Sequence, residues 1–221
     1  MAFLGHDRII AEKDALFDTT GKSLDISLPD LFDGKSVKQA SYDLRLGEEF
    51  YIVGRRAPER LSEKQPYVSL PPGQFAVLTC YEILHLPKEI MAFISLRNRF
   101  KMQGLVNVSG FSVDPTFKGR LVFAVQNIGP NDIRLKFKDP TFTIFFADVD
   151  KNEKSSREEP VRSGIMLPDV QQLGASSVTL AKLKKDVDSL RTILLIYAPI
   201  AVALVIALLA TLIKLVGNGH G

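Results

Sequence analysis

The 221-residue chain contains few residues of the types that bind metals: one cysteine, Cys80, and three histidines. A single cysteine excludes an intrachain disulfide and a four-cysteine zinc site. His6, His85 and His220 lack the mutual spacing of metal ligands, so we expect no metal site built from protein side chains. Charge of one sign is also lacking, with 28 Lys and Arg against 25 Asp and Glu. This balance argues against a dedicated nucleic-acid-binding protein.

The glycine patterns of P-loop and Rossmann nucleotide-binding domains are absent from the sequence. The chain also lacks the alternation of strands and long helices that is typical of α/β domains. Several short runs rich in Val, Ile, Phe and Tyr are instead separated by groups of Pro, Gly, Asp and Asn. This texture predicts a mainly β domain over residues 1–148, built as a sandwich or barrel, with one short helix at 7–17. The predicted strands are 42–46, 49–53, 75–79, 91–95, 121–126, 133–137 and 143–147.

Residues 193–213 (ILLIYAPIAVALVIALLATLI) contain no charged side chain. About 21 helical residues span roughly 31 Å, close to the thickness of a bilayer's hydrocarbon core. The stretch therefore predicts a single transmembrane helix, the alternative being a buried core helix. Its only polar groups are Tyr197 and Thr211, which does not indicate a polar pore. A short tail, 214–221, follows it.

More basic residues precede this span than follow it, since residues 182–191 contain four and Lys214 stands alone after it. This bias predicts that the N-terminal domain is cytoplasmic. The first residues of the chain lack the apolar core of a signal peptide. We therefore expect a single-pass membrane protein with a cytoplasmic head.

The segment between the β domain and the apolar span changes in character. Residues 149–177 are interpreted as a linker, because their first part is polar and aperiodic. Residues 178–192 are interpreted as a short coiled-coil stalk, because apolar residues recur at alternating spacings of three and four. The alternative is an amphipathic helix that lies on the domain or on the membrane surface. The apolar positions are Leu180, Leu183, Val187, Leu190 and Leu194.

Five groups of residues, in this order along the chain, resemble the dCTP deaminase and trimeric dUTPase superfamily. The resemblance covers about residues 7–147 and implies a jelly-roll or distorted-barrel head, a homotrimer, and nucleotide pockets between subunits. The groups are 39–47 (QASYDLRLG), 70–75 (LPPGQF), 82–87 (EILHLP) with 95–97 (SLR), 113–119 (VDPTFKG) and 126–129 (QNIG).

The resemblance is incomplete at the positions that carry the family's chemistry. Deamination of cytosine without zinc needs a carboxylate that takes a proton from water and returns it to the ring and the leaving amine. The family's glutamate corresponds to Ala124, which cannot do this. A serine that orients the base corresponds to Asn98, and a second phosphate-binding arginine corresponds to Met102. Arg99 or Lys101 would have to supply the missing positive charge.

The remaining positions give candidate nucleotide-binding residues: Arg97, Asn98, Asn107, Asp114, Phe117 and Gln126. Asp114 is also the catalytic candidate if the protein is active; otherwise it is a turn residue before Pro115. Arg97 either holds a phosphate or forms a salt bridge within the trimer. Phe117 either stacks near the sugar or belongs to the core. The only cofactor considered is a Mg²⁺ ion that accompanies a bound nucleotide.

Three functions are open at this point. The favoured one is a membrane-anchored, catalytically inactive trimer that binds a nucleotide in a regulatory or sensing role. The second is an active dCTP deaminase or dUTP diphosphatase that uses Asp114 with a displaced acid such as Glu82 or Asp132. The third is a structural oligomeriser whose pocket is filled by side chains.

Overall fold

The computed structural model describes residues 2–26, 28–150, 161–166, 168, 170 and 180–217. The chain divides into two compact units, Met1–Ser177 and Val178–Gly221, which are described separately. The first unit is the predicted β domain together with the chain that follows it, and the second contains the apolar helix.

The N-terminal segment forms two short helices rather than the single helix predicted over 7–17. They are α1 (His6–Ala11) and α2 (Lys13–Leu16), separated by Glu12, whose φ of −97° and ψ of 13° interrupt the helix. Phe17 then adopts an extended conformation and pairs with Leu84 in an isolated β-bridge. The helical segment therefore ends where the chain joins the β structure.

The first unit is mainly β, which confirms the predicted fold class. The strands are β1 (Tyr42–Ile52), β2 (Glu59–Arg60), β3 (Tyr67–Leu70), β4 (Phe75–Cys80), β5 (Leu84–His85), β6 (Ile90–Leu96), β7 (Leu105–Asn107), β8 (Ser112–Val113), β9 (Lys118–Gly119), β10 (Val122–Asn127), β11 (Ile133–Lys136) and β12 (Pro140–Asp148). A short helix, α3 (Asn98–Lys101), follows β6. Seven strands form one sheet in the order β7-β10-β4-β1-β12-β6-β8, and β2 pairs with β1 at its side. Two further pairs, β11-β3 and β5-β9, form two-stranded sheets.

The two strands predicted at 42–46 and 49–53 are one continuous strand, β1. Gly47 does not end the strand, because the backbone of β4 passes close to it: a Cβ at Gly47 would lie 2.6 Å from the Cys80 carbonyl oxygen. The pairing of β1 with β4 shifts register between Leu46 and Phe50. Gly47 thus marks an irregularity in the sheet rather than a turn.

The core lies between the inner faces of these strands. Phe123 of β10 and Phe142 of β12 are both fully buried, and their rings stack with centroids 3.6 Å apart. Along β10 the buried residues alternate with half-buried ones, as expected for a strand with one face on the core. The sheet therefore has an inner apolar face and an outer face that is available for other contacts.

Residues 161–166 lie on the β domain, although they belong to the segment interpreted as a linker. Arg162 forms a parallel β-bridge with Gly119 of β9. At least this part of 149–177 is therefore attached to the domain, and residues 151–160 and 171–179 lie outside the described residues.

The second unit is one helix, α4 (Leu180–Gly217), which contains Pro199. The predicted stalk and the predicted span belong to this same helix. Its segment Asp186–Ala210 contains an 18-residue window with a mean hydropathy of 2.9 and is long and apolar enough to cross a membrane. Within the predicted heptads, Val187, Leu190 and Leu194 are exposed in the single chain, and the side chains of Leu180 and Leu183 lie outside the described residues.

Candidate functional site

Ala124 occupies the middle of β10 and faces the outer side of the sheet. It lies opposite Val77 of β4, and its carbonyl oxygen accepts a hydrogen bond of 2.8 Å from the backbone N–H of Val108. Because side chains alternate along a strand, the fully buried Phe123 and Val125 point into the core and Ala124 points away from it. A methyl group cannot donate or accept a proton, so β10 supplies no acid or base at this position.

The outer face around Ala124 combines one polar side chain with an apolar cluster. The polar side chain is Gln126, two residues further along β10, which is half-buried and whose Nε2 donates to the Gly73 carbonyl oxygen at 3.4 Å. The apolar side chains form a small separate cluster that includes two residues from beyond the last strand. Its buried members are Tyr51, Val53 and Val77, and Phe75, Val122, Ile165 and Val170 pack against them.

Asn107 does not share this face. It pairs with Val125 of β10, and Val125 lies on the opposite side of the strand from Ala124. The Oδ1 atom of Asn107 accepts hydrogen bonds from the Ser109 hydroxyl (2.6 Å) and the Ser109 backbone N–H (3.3 Å). In the single chain, Asn107 therefore stabilises the turn after β7 rather than joining Ala124 in one site.

Arg97, which follows β6, forms an ion pair with Asp43 of β1. Its Nη1 donates to Asp43 Oδ2, and Asp43 Oδ1 accepts from the Thr143 hydroxyl at 3.0 Å. The Nζ of Lys38 lies 3.7 Å from Asp43 Oδ2. The side chain of Asp43 is 6% exposed, whereas that of Arg97 is 34% exposed. The observed ion pair lies within one chain, so a salt bridge of Arg97 within the trimer stays a prediction, and about a third of the Arg97 side chain is exposed in the single chain.

The cations of α3 lie at the surface of the domain. Asn98 is exposed at the start of the helix, and Met102 is 79% exposed after its end. Arg99 Nη2 donates to the first carbonyl of β12 at 2.9 Å, and Lys101 Nζ donates to the Ser95 hydroxyl at 2.6 Å. Either cation supplies the positive charge at this position only if it gives up a local hydrogen bond.

Asp114 lies in an exposed turn between β8 and β9. Its carbonyl oxygen accepts a hydrogen bond of 3.3 Å from the Phe117 N–H. Thr116, between them, has a φ of +69°, a left-handed conformation that is rare for a β-branched residue. Phe117 is half-buried and packs against the main core, which favours the structural interpretation of this residue.

Glu82 is a buried structural residue and not a solvent-facing acid. Its Oε1 atom accepts from Arg45 Nε at 2.6 Å and from the Tyr42 hydroxyl at 3.3 Å, and its Oε2 accepts from the Arg45 backbone N–H at 2.9 Å. Burial raises the pKa of Glu82, and the contact with Arg45 opposes that shift. Asp132, the other proposed displaced acid, is exposed and accepts from the Ser69 hydroxyl at 3.3 Å.

Two concave surfaces of the domain have volumes of about 700 and about 170 Å³. The larger is lined by His6, residues 37–41 and Phe145, and the smaller by residues between Phe50 and Ser69. Neither of these two surfaces is lined by the candidate nucleotide-binding residues. Within the described part of the chain, no group of three or more His, Cys, Asp or Glu side chains could hold a metal ion.

The structure adds two features that the sequence analysis missed. Asp43 is the partner of Arg97, although it lies 54 residues earlier, and the only sequence signal was its place within the 39–47 motif. Ile165 and Val170 pack beside the face that carries Ala124. Nothing in the sequence distinguished these two residues from the surrounding linker.

Comparison with known proteins places these features in a family. The model of the dCTP deaminase-like family matches residues 14–149. A dCTP deaminase of Pyrococcus abyssi is 29% identical over 124 residues, which are 56% of this chain and 78% of the relative. A dCTP deaminase, dUMP-forming, of Methanosphaera stadtmanae is 26% identical over 172 residues, which cover 70% of this chain and 84% of the relative.

Two solved structures are similar to parts of the chain. The 2'-deoxycytidine 5'-triphosphate deaminase of Agrobacterium tumefaciens has a TM-score of 0.49 at 19% identity, covering 65% of this chain and 47% of that one. The dUTPase of EIAV has a TM-score of 0.36 at 15% identity, covering 52% of this chain and 97% of that one. Because the model of the dCTP deaminase-like family matches more than half of the chain, the chain belongs to this family.

Proposed function

We propose that this protein is a membrane-anchored trimer of dCTP deaminase-like domains that lacks deaminase activity. It binds a deoxypyrimidine nucleotide, or a related ligand, in a regulatory or sensing role. The observation that carries the proposal is Ala124 on the outer face of β10, opposite Val77. Deamination at C4 of cytosine requires a carboxylate that takes a proton from water and returns it to the ring and the leaving amine, and a methyl group cannot do so.

Two observations support retained ligand binding. Asp114 is exposed in the turn that carries the family's 113–119 motif. Arg97 keeps about a third of its side chain exposed while Asp43 holds it in place, and a guanidinium in that position suits a phosphate oxygen. Any Mg²⁺ ion would be carried by the phosphates of the bound nucleotide.

The membrane and trimer parts of the proposal rest on different features. Asp186–Ala210 has the length and hydropathy of a membrane span, and the excess of basic residues before it favours a cytoplasmic head. The resemblance to trimeric enzymes supports a trimer. The surface positions of Arg97 and Asp114 agree with pockets that are completed by a neighbouring subunit.

An active deoxypyrimidine enzyme is the second candidate, and the dCTP deaminases among the relatives favour it. With Glu82 engaged by Arg45, this candidate depends on the exposed Asp114. It predicts that Asp114→Asn abolishes turnover and leaves the oligomer intact.

The test uses the full chain in lipid nanodiscs, with dCTP, dUTP and dTTP as probes, with and without Mg²⁺. Binding is measured by calorimetry and turnover by chromatography of the nucleotides. The proposal expects binding of at least one nucleotide without formation of uracil nucleotides or release of diphosphate. Turnover at enzyme-like rates would establish the second candidate, and neither binding nor turnover would favour a purely structural oligomeriser.

A further inference from the structure

Residues 161–166, which we call the strap, are held on the β domain by backbone hydrogen bonds. The Arg162 N–H donates to the Lys118 carbonyl oxygen at 3.0 Å, and the Arg120 N–H donates to the Arg162 carbonyl oxygen at 2.8 Å. The Ile165 N–H donates to Glu49 Oε2 at 3.2 Å. The strap thus forms one parallel β-bridge with Gly119 of β9.

Glycines on both sides of this contact allow the close approach. Gly119 has a φ of +123°, and a Cβ there would lie 2.1 Å from the Arg162 carbonyl oxygen. A Cβ at Gly164 would lie 2.2 Å from Glu49 Oε2. A side chain at Gly119 would collide with the backbone of Arg162, so this glycine is suited to the docked arrangement, whereas a side chain at Gly164 meets only the end of the flexible Glu49 side chain.

The end of the strap reaches the outer face of the sheet. Ile165 and the nearby Val170 pack against the cluster that contains Val77, and Val77 is the cross-strand neighbour of Ala124. The strap therefore contacts both the strand that follows the Asp114 turn and the face where the family's catalytic glutamate would stand.

The strap buries little apolar surface among the described residues. Val161 and Met166 are each 40% exposed, and Ile165 is the strap residue that packs against the apolar cluster. Segments with few buried apolar contacts open locally at a lower free-energy cost than the core, so the strap is suited to a reversible contact.

We propose that the strap is a releasable latch that couples nucleotide binding in the head to the chain entering α4. The inference rests on the proposed function. The docked strap fixes Lys118 and Arg120, which are continuous with the turn that carries Asp114 and Phe117. A turn that is already ordered loses less entropy when a ligand binds. Docking and nucleotide binding therefore favour each other, and by linkage a ligand must stabilise the latch as much as the latch strengthens binding.

The test compares two matched substitutions in the full chain in nanodiscs. Ile165→Asp places a charge against the apolar cluster, whereas Val161→Asp makes the same change in kind at a side chain that is 40% exposed. Hydrogen exchange at the Arg120 and Arg162 amides reports release of the strap, and calorimetry with dCTP, dUTP and dTTP reports affinity. Gly34→Ala is a second control, since a Cβ at Gly34 meets nothing within 4 Å.

We expect Ile165→Asp to accelerate exchange at both amides and to weaken nucleotide binding by about 5-fold or more, the lower range of allosteric coupling. Val161→Asp and Gly34→Ala should change neither quantity, and nucleotide should slow exchange at both amides in the unsubstituted protein. Two outcomes refute the latch and leave the proposed function standing. In the first, Ile165→Asp releases the strap but nucleotide affinity is unchanged. In the second, hydrogen exchange at the Arg120 and Arg162 amides of Ile165→Asp stays as slow as exchange in the core. If the unsubstituted protein binds none of the three nucleotides, both proposals fail together.

Discussion

Replacement of Arg120 by methionine together with Glu48 by glutamine is expected to stabilise the domain. Nε and Nη2 of the buried Arg120 side chain lack partners among the described residues, and each unsatisfied buried donor costs roughly 1–3 kcal/mol. Against this stands the 3.0 Å bond from Nη1 to Glu48, a contact between charged groups that contributes about 1.5–3 kcal/mol. The midpoints leave a net gain of about 1–2 kcal/mol when both members of the pair become neutral, so that neither charge is left without its partner.

The assay is urea unfolding of the full chain in micelles, followed by labelling of Cys80. Cys80 is buried, and burial raises the pKa of its thiol to about 12, so modification reports opening of the domain. Glu48→Gln is the opposing control: it leaves the Arg120 charge buried with a weaker partner and should cost about 3–5 kcal/mol. Arg120→Met alone leaves the Glu48 carboxylate without its cation, so each single variant should be less stable than the double variant. A loss of more than about 1 kcal/mol in the double variant would show that the Arg120 nitrogens have partners and refute the reasoning.

Three further outcomes are expected. Burial raises the pKa of Asp18, but hydrogen bonds from Ser23 and Thr20 outweigh burial and hold this pKa well below its usual range. The ionised Asp18 therefore contributes to the free energy of unfolding in full above its unfolded pKa of about 3.9, and this contribution is lost as the pH falls below that value. Acid unfolding should therefore be steeper in the unsubstituted protein than in Asp18→Asn. Thr116→Gly should raise the free energy of unfolding by about 1 kcal/mol, because it relieves a left-handed β-branched residue, and urea titration measures this. Ala124→Glu should lower the melting temperature and give no uracil nucleotide by chromatography, because the carboxylate meets Val77 and the serine and arginine positions remain changed.

Local patterns predicted the fold well, because each half-buried strand carries its own alternation. The 121–126 and 133–137 predictions lie within a residue of β10 and β11. Errors arose where tertiary contacts override the local signal. Gly47 resembles a turn residue, yet it lies inside β1 because a neighbouring backbone approaches it.

The candidate site was only partly predictable, because motif positions identify residues but not their partners. The exposed Asp114 and the missing acid at Ala124 follow from the motif alone. The pairing of Arg97 with Asp43 depends on β12 lying between β1 and β6, and no local pattern encodes that strand order. The docking of Ile165 likewise depends on which sheet face is left uncovered.

The surface around Ala124 explains why a carboxylate there would be costly. A carboxylate on β10 would need water or polar partners, but Ala124 lies opposite Val77, and Val122 precedes it on the same face. The apolar cluster of this face is contacted by Ile165, which follows the last strand. A glutamate at position 124 would therefore place an unpaired charge beside the docking surface of the strap.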